Sequence, residues 1–182
     1  MLFLISDFYD KYKYMLIGLL VFLVVSAFFF GYNKSLNCKL VFPTADGKSF
    51  YYENRIICKQ KSIDGNIRRI VEELFIGPAL YGQKNVFSEH SSYISSFIVD
   101  DELMLNISKS VVNELVYNPQ GVSNPEWLII MSIVNTVTIN YPAIKRVQFY
   151  FDGVLYDYIG TMGPIDKGIA LDRKINLDKN RK

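Results

Sequence analysis

Two cysteines, Cys38 and Cys58, are the residues of this chain whose spacing most directly suggests a chemical bond. Each lies in a strand-like run, and the turn-rich segment 43–47 separates the two runs. If the runs pair as an antiparallel hairpin with Leu40 facing Ile56, Cys38 faces Cys58 and both sulfurs point to one face. Directly opposed cysteines come within disulfide range, and a disulfide implies an oxidising compartment. Two free buried thiols are the alternative, and the sequence favours neither.

The single histidine, His90, lies in a loop with Ser88, Ser91 and Ser92. A nucleophilic serine needs a histidine base, and that base needs a carboxylate to orient it. The sequence places no carboxylate for this purpose, and one histidine with two distant cysteines makes no zinc site. We therefore predict no catalytic residue, no metal site and no cofactor, and a hydrolase centred on His90 is only a third hypothesis.

An acidic run, Asp100-Asp101-Glu102, supplies carboxylate oxygens of the kind that bind hard cations. The same run lies between two strand-like segments, where polar residues commonly form a hairpin turn, and we expect the turn. The glycines are scattered and form no phosphate-cradling loop. A net charge of +2 gives no basic field, so we expect no nucleic-acid partner.

Upstream of these residues lies an uncharged segment, 14–33, with the sequence YMLIGLLVFLVVSAFFFGYN. As a helix it would extend about 30 Å, close to the hydrocarbon thickness of a bilayer. Leu, Val, Ile and Phe favour insertion, and tyrosines flank both ends of the run, where interfacial aromatics are expected. We therefore predict a single-pass transmembrane helix over residues 14–33, preceded by a short N-terminal segment, 1–13.

Two other interpretations of this segment stay open. A cleaved signal peptide is disfavoured by the length of the apolar run and by the lack of an A-x-A-like site after it. A lipoprotein signal would end at Cys38, but Ser35-Leu36-Asn37 match poorly the small residues expected before such a cysteine. Lysines flank the run on both sides, so charge does not decide the orientation.

The rest of the chain alternates strand and helix patterns. Residues 39–59, 93–107 and 145–159 each predict an antiparallel hairpin, because strand-like runs flank a short polar turn. Asp152-Gly153 is the strongest of these turn signals.

Residues 64–76 carry apolar residues at helical spacing, with Asp64 as N-cap and Gly77-Pro78 as the stop. The core residues we expect from the two helices and the last hairpin are Ile67, Ile70, Val71, Leu74, Val134 and Phe149.

A second helix is predicted over residues 124–141, with Asn124 as its N-cap. From Trp127 to Ile144 there is no charge, a length that approaches a membrane span. Its many polar residues and Pro142 argue against a second crossing. Such a helix is either buried or covered on its outer face by a partner.

Four residues are our candidates for a protein interface. Asn135 and Thr138 are taken as the outer side of helix 124–141, and Trp127 as an anchor at its start. Tyr150 belongs to a set of strand tyrosines that suit either half-buried sheet positions or an interface.

Four segments together carry a family resemblance. They are LVFPTADG at 40–47, IVEEL at 70–74 with Gly77-Pro78 after it, IVNTVT at 133–138, and IKRVQF at 144–149 ending in Asp152-Gly153. In order and spacing, residues 39–165 resemble the sporulation and spore germination domain, the GerM-type (GerMN) domain. The central hairpin departs from that pattern: Asp100-Asp101 and Asn106 stand near the places where the family often shows a glycine turn and a strand aspartate.

The resemblance implies a small α+β domain outside the cytoplasmic membrane, commonly behind one anchor. In endospore formers such domains resemble ring-building modules that help to assemble an envelope complex, and relatives also occur beside envelope-remodelling enzymes. The family carries no established catalytic residues, so none is transferred to this chain.

These observations predict an α+β fold in which antiparallel β-hairpins pack against two α-helices, preceded by one N-terminal transmembrane helix. Residues 39–165 form the domain, and the charged residues 166–182 form a solvated or frayed tail. We expect a non-enzymatic, extracytoplasmic scaffold module of the bacterial cell envelope that acts by protein–protein interaction. Its expected partners are the inner membrane and other envelope proteins, and self-association is left open. Binding of peptidoglycan or another wall glycan is the alternative function.

Overall fold

The computed structural model describes residues 2–30, 35–80, 83, 85–114, 125–158 and 167–170, and within the first helix the side chains of residues 12–26. Its elements, in chain order, are α1 (Leu2–Phe30), β1 (Ser35–Pro43), β2 (Phe50–Cys58), α2 (Ile63–Ile76), β3 (Tyr93–Val99), β4 (Glu102–Ile107), α3 (Ser110–Asn113), α4 (Pro125–Asn140), β5 (Arg146–Phe151), β6 (Val154–Leu155) and β7 (Ile169–Ala170). The chain divides into two compact units, Met1–Lys34 and Ser35–Lys182.

The first unit contains one helix of 29 residues, α1, which begins before the predicted segment 14–33. Its described large apolar side chains between Tyr14 and Val25 are all 46–76% exposed. Across the described residues, no helix combines the length and the hydropathy needed to cross a membrane. Residues 31–33, the end of the predicted span, lie outside the described part of the chain.

The second unit contains two sheets. β1 and β2 form a two-stranded antiparallel sheet, and β3-β4-β5-β6 form a second sheet in which β7 also pairs with β5. The predicted hairpins β1–β2, β3–β4 and β5–β6 are confirmed as antiparallel pairs. β4 and β5 pair in parallel, which we did not predict. The pairing is parallel because α4 lies between the two strands in the chain and brings the chain back to the end of the sheet where β4 began.

The mixed α+β class is confirmed, and so is the predicted core. The residues expected there are all buried: Ile67, Ile70, Val71, Leu74, Val134 and Phe149. The N-cap of α2 is different from the prediction, because the Ser62 hydroxyl accepts from the Gly65 N–H and Asp64 lies in the first turn. Gly77 ends the helix as expected, with φ 94°.

The two cysteines do not face each other. The β1–β2 ladder pairs Cys38 with Arg55 rather than with Cys58. The turn explains this register, since the Thr44 N–H donates to the Ser49 carbonyl at 2.9 Å and fixes where pairing begins. A shift by an odd number of positions turns Cys58 to the opposite face. Cys38 is buried, Cys58 is exposed and both are free. The register that would oppose the two cysteines does not form, and the pair is neither a disulfide nor two buried thiols.

Helix α4 is buried along most of its length, since every side chain from Leu128 to Thr138 is buried. Asn135 is 1% exposed and Thr138 is 6% exposed, so their predicted place on an outer interface is wrong. The physical reason is packing on several sides, because β1, α2, α3 and β5 all contact this helix. Of our two interpretations of an uncharged helix, the buried one is confirmed.

Some predictions fall outside the described residues. The Asn124 N-cap, residues 159–165 at the end of the predicted domain and most of the tail belong to this group. Of the tail 166–182, the described part is 167–170, where Ile169 pairs with Val147. This part of the predicted solvated tail therefore belongs to the sheet.

Candidate interaction surface

The outer edge of β1 is closed by side chains of α4. The Val41 N–H donates to Thr136 Oγ1 at 2.9 Å, in the buried interior. The Lys39 N–H donates to Asn140 Oδ1 at 2.9 Å, and Asn140 Nδ2 donates back to the Lys39 carbonyl at 2.8 Å. Thr136 and Asn140 are four positions apart and lie on one face of the helix. Together they satisfy backbone groups that a neighbouring strand would otherwise bond.

The outer edge of β3 is different. β3 is the terminal strand of its sheet and pairs on one side with β4. Among the described residues, no hydrogen bond from another strand or side chain reaches its other side. The strand YISSFIV contains no charge and no proline, the two devices that commonly protect an edge from pairing with another chain.

The face of the large sheet that points away from the helices carries apolar side chains beside polar ones, among them the ion pair between Glu102 and Arg146. In β4, Leu103, Leu105 and Ile107 are buried, so the alternate residues point outward. The registers place these alternate residues beside outward residues of β3 and β5, and we call five of the set the outer sheet face: Phe97, Val99, Met104, Gln148 and Tyr150. Phe97 is 54% exposed and Val99 is 47% exposed.

Of the four predicted interface residues, Tyr150 alone lies on this face. Trp127 is half-buried, and its ring packs edge-on against Phe50 at 5.8 Å between centroids. Asn135 and Thr138 are inside the fold, so the structure does not bring the four together. The outer sheet face was missed because its members are spread over three strands. The sequence did contain one indication of this surface, the uncharged run of β3 followed by the acidic turn.

The two ends of β3 differ in charge: an acidic turn follows the strand, whereas arginines and glutamates lie together at its start. Asp100 and Asp101 form the exposed turn after the strand. At the other end, the Arg68 guanidinium lies over the Tyr93 ring at 5.8 Å. Glu72 bonds Arg68 at 2.7 Å and also Arg69, so two guanidiniums share one carboxylate. The hydrogen bond and charge of Glu72 raise the pKa of Arg68.

His90 has an orienting carboxylate that the sequence did not reveal. Its Nδ1 lies 2.8 Å from Oε2 of Glu114, which is 24 positions away in the chain. The hydrogen bond and charge of Glu114 raise the pKa of His90, and the bonds from His90 and Ser88 lower the pKa of Glu114. Among the described residues, no serine hydroxyl bonds the imidazole ring; Ser108 and Ser110 bond the His90 carbonyl instead. In the described part of the chain, the arrangement therefore pairs an imidazole with a carboxylate that orients it.

A second surface feature is an aromatic depression at the start of α3. The Lys109 ammonium lies 5.0 Å from the Tyr156 ring centroid, and Phe151 meets the same ring edge-on at 5.7 Å. Tyr158 and Glu126 line the same depression. The Tyr158 side chain is exposed and the Tyr156 side chain is half-buried, so both rings present an apolar surface beside polar groups.

A family model described as Germane, sporulation and spore germination, matches residues 39–157. The fold is similar to the tandem GerMN domains of the sporulation protein GerM from Bacillus subtilis, with TM-score 0.56, 16% identity, and 75% of this chain and 46% of that chain covered. The chain thus spans less than half of the tandem structure. It is also similar to the first GerMN domain of the same protein, with TM-score 0.51, 18% identity, and coverage of 76% and 98%. No curated protein sequence matches the chain. At these identities the structural likeness establishes the fold.

Proposed function

Because the chain belongs to the Germane family of sporulation and spore germination domains, we propose that it is a non-enzymatic assembly module of the bacterial cell envelope. It acts by binding other envelope proteins. The observation that supports this role is the outer sheet face, where Phe97 and Val99 remain exposed and apolar. Exposed apolar surface at the end of a sheet commonly marks a protein interaction site.

The first unit supports attachment to the cytoplasmic membrane. α1 exposes apolar side chains all along the described part, a state that lipid would stabilise and water would not. We propose residues 14–33 as an uncleaved single-pass anchor with the domain outside the cytoplasm. Cys38 bears on the lipoprotein alternative, because its side chain is buried within β1, whereas a lipid-modified cysteine has to carry its acyl chains outside the fold.

Cys58 provides a topology test in intact cells that carry the full chain. A membrane-impermeant maleimide should label Cys58 from outside, because its side chain is exposed. Cys38 should react only after unfolding, because burial protects it and raises its pKa. The matched control is Cys58→Ser, which should abolish labelling of intact cells. Labelling that requires cell lysis would place the domain in the cytoplasm and contradict the proposed location.

Partner binding is tested by crosslinking in cells followed by purification of the full chain. Tyr150→Ala removes a ring from the outer sheet face and should reduce the recovery of crosslinked envelope proteins severalfold. Tyr52→Ala is the matched control, since Tyr52 is also a half-buried strand tyrosine but lies on the other sheet. Equal recovery from both variants and the wild type would count against the outer sheet face as the binding surface.

The aromatic depression favours a second candidate, binding of peptidoglycan or another wall glycan. The exposed Tyr158 and the ring of Tyr156 beside Lys109 support it. Sedimentation with purified sacculi separates the two functions: Tyr158→Ala should lower the bound fraction, whereas Tyr150→Ala should not. No sedimentation of the wild type would eliminate the glycan candidate and leave the assembly role untouched.

A further inference from the structure

We propose that two copies of this chain associate by antiparallel pairing of their β3 strands, edge to edge, to give one continuous sheet. This pairing rests on the proposed assembly function and names one partner and one surface for it. The occupant of the open edge is thus a second copy of the same strand. A two-fold axis would relate the copies and use the same residues on both sides.

The first support is the backbone. In an antiparallel pair, alternate residues of β3 bond β4, and the residues between them turn their N–H and C=O groups to the open side. A second β3 strand supplies complementary groups in the same alternation. Side chains do not oppose this approach, because the strand has no charge that would repel its own copy.

The second support is charge complementarity at the strand ends. In an antiparallel pair, the turn after β3 of one copy lies beside the start of β3 of the other copy. The carboxylates of Asp100 and Asp101 therefore approach the corner of Arg68 and Arg69. Glu72 neutralises one of these two guanidiniums, and Glu89 lines a surface depression together with Glu72. The two-fold axis creates this contact twice. A parallel pairing would instead bring the two acidic turns together, which electrostatics disfavours.

The third support is that the other long edges are less suited to self-pairing. β1 is closed by Thr136 and Asn140. β5 pairs with β4 on one side and with β6 and β7 on the other. β2 carries the charged residues Glu53 and Arg55. Arg55 forms an ion pair with Glu73 of α2, and Glu53 accepts a hydrogen bond from the backbone just after that helix. Among the described strands, β3 therefore combines length, an open edge and the absence of charge.

Apolar side chains next to the edge would be covered by the pairing. Ile94 and Phe97 are exposed in the free chain and lie within the strand that would pair. Cross-strand contacts between apolar side chains add to the backbone bonds and stabilise sheet pairs.

The test uses the full chain in lipid vesicles, with a donor dye on some copies and an acceptor dye on others. Reductant is present, so that the exposed Cys58 cannot crosslink copies. Wild-type copies should show energy transfer that rises with protein density, and Phe97→Lys should weaken the association about tenfold, because a charge beside an edge opposes pairing. Ile56→Lys is the matched control: Ile56 is 75% exposed on β2, and the same change there should leave the association intact.

A charge exchange tests the antiparallel direction. Arg68→Asp and Asp100→Arg should each weaken the association, because each places like charges opposite each other. The double variant should restore it, because Arg at position 100 of one copy then faces Asp at position 68 of the other. Wild-type energy transfer that stays at background, or a double variant weaker than both single variants, would overturn the pairing.

The two proposals fail separately. Intact partner capture by a chain that shows no energy transfer would leave the assembly role standing and would overturn the pairing of β3 with a second copy. Strong energy transfer without any captured partner would support the pairing and contradict the wider role.

Discussion

The outer edge of β1 receives hydrogen bonds from two polar side chains of α4, whereas no hydrogen bond from a described residue outside the strand reaches the outer edge of β3. Helix α2 packs against β3, with Arg68 over the Tyr93 ring, but it gives the strand no hydrogen bond. Both strands lie at the border of a sheet in the same unit. Thr136 and Asn140 supply β1 with hydrogen bonds that another chain would otherwise provide. The β3 edge, with its uncharged sequence, keeps that capacity free.

This difference separates what stabilises the fold from what is available for assembly. An edge covered from within contributes to stability and cannot recruit another strand. An edge left open contributes little to stability and can pair without unfolding anything. Substitutions at the two edges should therefore have different consequences, and the following experiments compare them.

Removing the hydroxyl that closes β1 should have the largest effect. Thr136→Val leaves the buried Val41 N–H without its acceptor, which costs about 1 to 3 kcal/mol in the free energy of unfolding. Thr138→Val is the matched control, because Thr138 Oγ1 bonds the Val134 carbonyl of its own helix and should cost less than about 1 kcal/mol. Urea unfolding of both variants measures the difference. Equal losses would show that Thr136 does not close the edge.

Two asparagines of α4 sharpen the comparison. Asn140→Ala removes both bonds to Lys39 and should destabilise the fold by about 1 kcal/mol. Asn135→Ala should not destabilise it, because the buried Asn135 amide has no hydrogen-bond partner among the described residues and alanine favours helix. Thermal unfolding of the two variants checks the ranking. A larger loss for Asn135 would mean that its amide has a bonding role.

The open edge should tolerate change. Phe97→Lys is expected to alter the free energy of unfolding by no more than about 0.5 kcal/mol, since the exposed ring contributes little to the core. Urea unfolding at a protein concentration below that of association is the measurement. A loss comparable to that of Thr136→Val would remove the distinction between the two edges.

The smallest effect concerns pH, at the loop that leads into β3. Glu114 raises the pKa of His90, so their contact is fully present below the ordinary pKa of histidine and is lost as pH rises through the raised value. On the acid side, the pKa of Glu114 is lowered, so the contact is present above the ordinary pKa of a glutamate and disappears as pH falls through the lowered value.

Glu114→Gln should therefore lower the pKa of His90 toward the ordinary value for histidine, as followed by NMR of its ring protons. Glu89→Gln is the control: Glu89 is the weakest of the charges that raise the pKa of His90, so its loss should shift that pKa much less. An unchanged pKa in the Glu114 variant would contradict the contact.

Local patterns in the sequence predicted the elements well. The spacing of Ile67, Ile70 and Leu74 predicted α2, and turn signals such as Asp152-Gly153 predicted the hairpins. These predictions succeed because helix periodicity, strand alternation and turn conformations depend on residues within a few positions of each other. The family resemblance over 39–165 was likewise correct for the part that the family model matches, 39–157.

The interaction surface was predicted only in part. Tyr150 lies on the outer sheet face, but Asn135 and Thr138 were placed at a surface because an uncharged helix is equally consistent with burial and with a covered face. No sequence motif identified the β3 edge. A strand has an open edge when no other strand pairs with that side, and this depends on the order of strands in the sheet.

The sequence by itself determined which segments form helices and hairpins, the buried faces of α2 and β5, and the uncharged N-terminal run. Tertiary structure alone decided the β1–β2 register, the parallel pairing of β4 with β5, the burial of α4 and the approach of Glu114 to His90. The physical reason is range: elements follow from the periodicity of neighbouring residues, whereas register, burial and edge closure depend on contacts between residues far apart in the chain, such as Val41 and Thr136.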